Sequence, residues 1–392
     1  MEYTVEAPEP WKRVIEVRVP AAKITQEIDQ LSDYYGKRTK LNGFRAGRVP
    51  AQVVKAKHFA KLQEEAMERV VEEAYREALQ QTKLSPVNTA KISDVDFNPK
   101  GKLSFRASFE IVPDIEIKQY KNLPAARRVR EIGQMDVDRE LENLRLSVPI
   151  LKPVERKIAE DDAVVLDVET YQGRKLMNRT AESTMFVRNM SEEVQKNIIG
   201  KRAGDIVSFE NQGTLTHIFI KNVKEPVYPE LSDSFAKDLG YENLDALRNK
   251  LKEELEKGEK RRSEREVEEQ LIRHLIDENP FEPPSSLVEL HLDSVSRTPE
   301  ERRKHRSQAI YLVKREIILD KIAHLENISI AQKELHTEIV KIAKSRDVSP
   351  ERLEKQLQKS DRIETLREQI KHTKVLKFLV SQASIKIEKA KE

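Results

Sequence analysis

Residues 11–20, WKRVIEVRVP, alternate in polarity: Val14, Glu16 and Arg18 fall on one side, Ile15, Val17 and Val19 on the other. A period of two predicts a strand with one solvated face. Over AAKITQEIDQLSDYYGKRTK (21–40) the period lengthens. Ile24, Ile28, Leu31 and Tyr35 now share one stripe, which predicts a helix. A longer stripe of Phe59, Leu62, Ala66, Val70, Ala74 and Ala78 predicts a second helix over 51–81. KLSFRASFEIVP (102–113) alternates again, and Pro113 closes it. Residues 1–113 therefore predict a small α+β domain, two helices on an antiparallel sheet.

Residues 114–130, DIEIKQYKNLPAARRVR, read as an extended linker without a core pattern, and 135–149 as a short helix ended by Pro149. Strand signals return over 161–226 in AVVLDVETYQG, STMFVRNM, DIVSFENQG and LTHIFIKNVKE. Four short strands with glycine turns predict a compact β-rich domain of about 70 residues. From residue 229 onward nearly every segment carries a helical stripe, broken at Pro280, Pro283 and Pro284. Ser329 and Ser349 are candidate helix caps, and Pro350 suits a first helical position. Ile310, Leu312, Val313, Ile317, Ile318, Leu319 and Ile322 exceed one narrow stripe, so most form core and some stay exposed. No repeat of 20–50 residues is present, which excludes a solenoid. The fold class is multidomain α+β. The expected divisions are 1–113, a linker with a short helix at 114–150, a β-rich domain at 151–226, and an all-α region at 227–392.

Composition narrows the picture. Apolar residues make up 38% of the 392 and charged residues 35%, which suits long amphipathic helices with thin cores. With 71 basic and 68 acidic residues the net charge is +3, so any electrostatic signal is local. There is no cysteine, which excludes disulfides and thiol chemistry and fits a reducing cytoplasm. The N-terminal segment has no apolar signal-peptide core, and no run approaches the roughly 18 apolar residues of a membrane span. No membrane partner is expected.

One stretch departs from this balance. LNGFRAGRVP (41–50) neither alternates nor repeats, and it lies in a window from Tyr34 to Gln63 without one carboxylate. That window holds eight basic residues: Lys37, Arg38, Lys40, Arg45, Arg48, Lys55, Lys57 and Lys61. Gly43 and Gly47 allow a tight loop, and Pro50 fits the first turn of the following helix. Phe44 beside Arg45 offers aromatic area next to a guanidinium fork that can grip a carboxylate or phosphate. From the local pattern alone two readings stand level. One is a docking loop; the other is a plain helix–helix turn whose Phe44 covers the core and whose arginines are solvated.

The motif itself adds a resemblance. GFRAGRVP resembles the ribosome-binding signature of bacterial trigger factor, a chaperone family of the nascent-chain exit; Gly43, Phe44, Arg45, Gly47, Arg48 and Pro50 match its pattern. The likeness continues in order through the helix after the loop, SFRASFEIVPDIEIKQYKNL, PELSDSFAKDLG, FEPPSSLVELHLDSV and RSQAIYLVKREIILDKIA. Ala46 departs from the lysine frequent at that position. The resemblance implies a ribosome-binding domain, an FKBP-like domain and an elongated helical chaperone domain. It implies that Phe44 and Arg45 dock on an acidic exit-site protein, that Lys37, Arg38, Lys40, Lys55, Lys57 and Lys61 support contact with ribosomal RNA, and that nascent polypeptides are the clients. Free members of the family can form homodimers.

The family's middle domain is a peptidyl-prolyl isomerase. Here the strand end reads ETYQG, with Tyr171 and Gly173 matching approximately; the pocket floor is replaced by NMSEEVQKNIIG and the flap shrinks to ENQGTLTH. Isomerisation needs a dry pocket around the prolyl bond, so activity is expected to be absent or weak, no catalytic residue is assigned, and Tyr171 is assigned to the small core. An active isomerase and a ribosome-independent holdase are the alternatives. The stretch between VELHLDSV and QAIYLV is shorter than in the family, which implies a truncated arm. His291, His305, His324, His336 and His372 share no metal-ligand spacing, and no phosphate-binding glycine loop is present. No metal or cofactor is expected, and chaperoning would not use ATP. The runs KGEKRRSER and EERRKHR read as solvated helix faces.

Overall fold

The computed structural model describes residues 1–38, 40–41, 44–45, 47–98, 102–211, 213–360 and 362–389. Helix accounts for 52% and strand for 24%. The described chain forms two compact units, residues 1–127 with 265–387, and residues 128–264 with 388–389. Among the described residues no helix is long and apolar enough to cross a membrane.

The first unit opens with β1 (Glu2–Glu9), β2 (Lys12–Pro20), α1 (Ala21–Gly36), α2 (Ala51–Thr82), β3 (Lys91–Phe97) and β4 (Lys102–Glu110). The strands form one antiparallel sheet in the order β1-β2-β4-β3. Register places Ile15 opposite Ala107, Val17 opposite Phe105 and Val19 opposite Leu103, so the apolar sets of β2 and β4 face the helices together. Ile24, Ile28 and Leu31 of α1 meet Leu62, Ala66, Val70, Ala74 and Ala78 of α2 over that face. The alanines let the helices pack closely.

Two details differ from the sequence reading. The backbone of α2 leaves helical geometry at His58 (φ −125°, ψ 24°), and Phe59 is 48% exposed instead of joining the core. Val54 fills the inward position before the kink. Strands β1 and β3 lack a clean alternation and carry no sequence signal. In β3, Asp94 and Val95 together oppose one residue of β4, and Asp94 has φ +52°. This bulge returns Ile92, Val95 and Phe97 to one face although their spacing in sequence is irregular.

The segment read as a linker is core. Residues 113–117 alternate buried and exposed, and Ile115, Ile117, Leu123 and Ala125 join one apolar cluster. Its other members come from the second half of α6 (Leu244–Glu278), from α7 (Ser285–Val295), α8 (Pro299–Leu325) and α11 (Arg362–Gln382). Side-chain amides from the helices also bind the backbone of this segment. Gln270 donates to the Ala126 carbonyl and accepts from its N–H, both at 2.9 Å. Asn279 accepts from the Lys118 N–H at 3.2 Å. A smaller cluster joins α9 (Gln332–Ser345), α10 (Pro350–Lys359) and α11 through Leu335, Ile339, Leu353 and Leu366. Ser349 caps α10 with Pro350 at its first position, as expected, whereas Ser329 precedes α9 without capping it. At α8 a full capping box forms between Thr298 and Glu301 around Pro299.

The second unit holds α3 (Gln134–Ser147), β6 (Ile150–Pro153), β7 (Ala163–Gln172), β8 (Lys175–Phe186), α4 (Glu192–Ile198), β9 (Ile206–Asn211), β10 (Thr214–Val227) and α5 (Asp233–Asp238). Its sheet runs β6-β10-β7-β8, and β9 pairs with the first half of β10. The core is aliphatic: Val164, Leu166, Ile198, Ile218, Ile220 and Val223. Leu141, Phe235, Ala236 and Leu247 form a separate helical cluster. The short strand β5 (Pro124–Val129) pairs with β11 (Ser384–Lys389), which the sequence did not announce.

Candidate functional site

Loop 37–50 is fastened at both ends. Val49 donates from its N–H to the Gly36 carbonyl at 3.2 Å, and the Val49 side chain is buried in the core. A Cβ on Gly36 would lie 2.5 Å from the Val49 carbonyl oxygen, so the close approach requires glycine there. Gly47 has φ +76°, and a Cβ on it would meet the Lys37 carbonyl at 3.0 Å. Arg48 donates to the Arg45 carbonyl at 3.0 Å and Phe44 to that of Leu41 at 3.1 Å. Pro50 is the capping residue just before α2, one position earlier than expected; its carbonyl accepts from Val53 and Val54. Gly43 and Ala46 lie outside the described residues.

Between these anchors Leu41 packs against the core, and the described aromatic and basic side chains face water. Phe44 is 40% exposed, and Arg45, Arg48, Lys37, Lys40, Lys57 and Lys61 are exposed. Among the described residues, Lys55 alone of the basic set pairs with a carboxylate, that of Asp29. The Arg38 guanidinium lies 4.1 Å from the Tyr34 ring centroid. Tyr34 and Phe59 are exposed aromatics that the sequence reading missed as site residues. Phe59 was hidden by its fit to the helical stripe; only the kink at His58 reveals it. The reading in which Phe44 covers the core is not what the structure shows.

Two family models match this chain. Bacterial trigger factor protein (TF) matches residues 1–144, and its C-terminus model matches 243–381. The chain belongs to the trigger factor family. It is 29% identical over 427 aligned positions to the trigger factor of Anaeromyxobacter dehalogenans (strain 2CP-C), covering 98% of this chain and 100% of that one. The trigger factor of Halorhodospira halophila is 26% identical over 413 positions, covering 97% and 94%. A solved structure titled "Promiscuous Substrate Recognition in Folding and Assembly Activities of the Trigger Factor Chaperone" aligns with TM-score 0.56 and 22% identity, over 97% of this chain and 100% of that chain. That likeness supports the fold. The likeness to these relatives also extends over the β-rich middle domain, between the two regions that the family models match.

In that middle domain the two hairpin loops are short. Strands β9 and β10 pair up to Asn211 opposite Thr214, leaving two residues between them. Strands β7 and β8 pair up to Gln172 opposite Lys175. The segment NMSEEVQKNIIG forms α4, whose Ile198 is buried in the aliphatic core. Tyr171 is half-buried outside that core: its hydroxyl donates to Glu169 at 2.8 Å and its ring lies edge-on to His217 at 5.5 Å. It was expected inside the core, and the exposed hairpin end explains the difference.

The helical part of the first unit keeps large apolar side chains in water, among them Leu290 at 66% and Val295 at 60% exposure on α7. Of the apolar α8 residues, Val313, Ile317, Ile318, Leu319 and Ile322 are buried, and Ile310 and Leu312 are half-buried. Helices α7 and α8 are joined by only three residues, Ser296 to Thr298. Asp320, Glu368 and His372 cluster closely enough to share a cation. Lys371 already bridges Asp320 and Glu368, and His372 Nε2 lies 2.9 Å from Asp320. Burial pushes the Asp320 carboxyl up, but hydrogen bonds from His372 and Lys371 outweigh it and hold it below the usual aspartate range. The group is an ion-pair network.

Proposed function

We propose that this protein is a ribosome-associated chaperone that works without ATP, docking at the nascent-chain exit through loop 43–50 and shielding new polypeptides in the cytoplasm. The observation that carries this is the loop: an exposed phenylalanine among cations of which, among the described residues, only Lys55 has a carboxylate partner, with its base fastened by the close approach of Gly36 and Val49. Phe44 supplies apolar area, and Arg45 and Arg48 supply forks for carboxylates of a ribosomal exit-site protein. Lys37, Arg38, Lys40, Lys57 and Lys61 add charge toward RNA phosphates, and Lys55, paired with Asp29, supports them. Exposed Tyr34 and Phe59 offer stacking surfaces beside that charge. The exposed apolar residues of α7 provide surface for unfolded clients.

Co-sedimentation with purified ribosomes at physiological salt tests the docking. The wild type is expected to pellet with ribosomes, and Phe44→Ala/Arg45→Ala to stay in the supernatant. Equal pelleting of both would remove the loop from the docking site.

A further inference from the structure

The N-terminal domain carries an apolar groove that the docking loop does not use. It lies between α2 and the edge strand β3 and encloses about 590 Å³. Its floor is Met67, Val71 and Tyr75 on one side and Ile92 and Val95 on the other. The cause is geometric. Helix α2 packs on the sheet through Leu62, Ala66, Val70, Ala74 and Ala78, and this row covers β2 and β4. The inner face of β3 projects past the helix, so Ile92 stays 37% and Val95 47% exposed. The hydroxyl of Tyr75 has no hydrogen-bond partner.

The rim has the opposite sign to the docking loop. Glu64, Glu68 and Glu72 line it at successive turns of α2, Glu68 and Glu72 each one position beyond Met67 and Val71. Arg76 pairs with Glu72 at one end. Among the described residues, Glu64 and Glu68 have no ion-pair partner. An apolar floor beside a free acidic row matches a chain with apolar and basic residues in alternation.

We propose that this groove is a client site for short extended segments that alternate apolar with Lys or Arg residues. The inference rests on the chaperone reading above. The size of the groove selects the occupant. From Glu64 to Arg76 the helix runs about 18 Å, the length of roughly five or six extended residues. A patch of this kind is on the order of a few hundred Å², below the roughly 1,200 Å² that a stable dimer buries. Apolar side chains of the client enter between Val71 and Val95, and its cations meet Glu64 and Glu68. The bulge at Asp94 bends the β3 edge, so side-chain contacts carry the binding.

The test uses the full chain and fluorescence anisotropy with a labelled nonapeptide alternating Lys with Leu and Val, and a counterpart with Glu for Lys. The wild type is expected to bind the Lys peptide at least tenfold more tightly than the Glu peptide, with the preference shrinking at high salt. Glu64→Lys/Glu68→Lys is expected to reverse the preference, and Val95→Asp to weaken both peptides at least fivefold. Both variants change exposed side chains, and a native circular dichroism spectrum verifies folding. Unchanged peptide affinities in both variants overturn the proposal. So does a shift of the protein's own sedimentation by these substitutions without an effect on peptide, which would assign the groove to a second copy. Suppression of aggregation of an unfolded reduced protein is measured in parallel. If the wild type suppresses aggregation while the peptide results fail, the groove falls and the chaperone reading stands; if it does not suppress, both fall.

Discussion

The Glu110 carboxylate accepts from the Ser286 N–H at 2.8 Å and from the Ser286 hydroxyl at 2.7 Å. These residues are 176 positions apart, at the end of β4 and the first turn of α7. A carboxylate at a helix N-terminus satisfies free N–H groups and complements the helix dipole. Ser285 adds a third bond at 2.7 Å. Burial pushes the Glu110 carboxyl up, but these bonds outweigh it and hold it below the usual glutamate range.

Glu110→Gln is therefore expected to lower unfolding stability at neutral pH by about 1–2 kcal/mol. The folded-state value is depressed, so the stabilisation is complete above the unfolded glutamate value of about 4.3 and fades as pH falls through the lower folded value. Urea unfolding followed by the single tryptophan, Trp11, should show the gap between variant and wild type narrowing progressively as pH falls below about 4.3. A gap that does not narrow with acidification would assign the loss to packing.

Gly36→Ala should destabilise the base of the docking loop, although alanine ordinarily favours a helix by about 1 kcal/mol. Its Cβ meets the Val49 carbonyl at 2.5 Å, and backbone must move. A net loss of about 1–3 kcal/mol is expected, with weaker ribosome co-sedimentation. Gly133→Ala is the control, because a Cβ there meets nothing within 4 Å. Equal stability of both variants would contradict the close approach.

Ile117→Ala should cost about 2–4 kcal/mol, the range for truncating a buried isoleucine. Gln270→Ala should speed amide exchange at Ala126, whose N–H and carbonyl it binds together. A flexible linker would show neither effect, so hydrogen exchange over residues 114–127 separates the two descriptions.

Prolyl isomerase activity is expected to be at background. The hairpins at 172–175 and 211–214 are each too short to close over a prolyl ring. A proline tetrapeptide assay should give the uncatalysed rate even at micromolar protein; acceleration comparable to an intact family isomerase would refute this.

Asp162→Ala should unfold the middle unit most readily. The Asp162 carboxylate is 1% exposed, takes both Arg156 nitrogens at 2.6 and 2.7 Å, and accepts from the Ala159 N–H at 2.8 Å. Losing these charge-assisted bonds and leaving the Ala159 N–H unpaired costs about 1.5–3 kcal/mol, while half-exposed Arg156 keeps Glu225 as a partner. Thermal unfolding of the variant should show an early transition absent from the wild type.

Much of this protein is legible in its sequence because its signals are local. Alternation marks β2 and β4, the helical stripes mark α1 and the later helices, Ser349-Pro350 marks the start of α10, and the acid-free basic window around Phe44 marks the loop proposed to dock. Tertiary structure decided what depends on partners distant in the chain. It made Ile115 and Ile117 core by supplying helices from the other end of the chain, it returned Val95 to the face of Ile92 through a bulge, and it exposed Phe59 by bending α2 at His58. The acidic-rimmed groove exists only because α2 is too narrow to cover β3. Periodicity records which residues prefer burial; which of them are buried depends on the surface that reaches them.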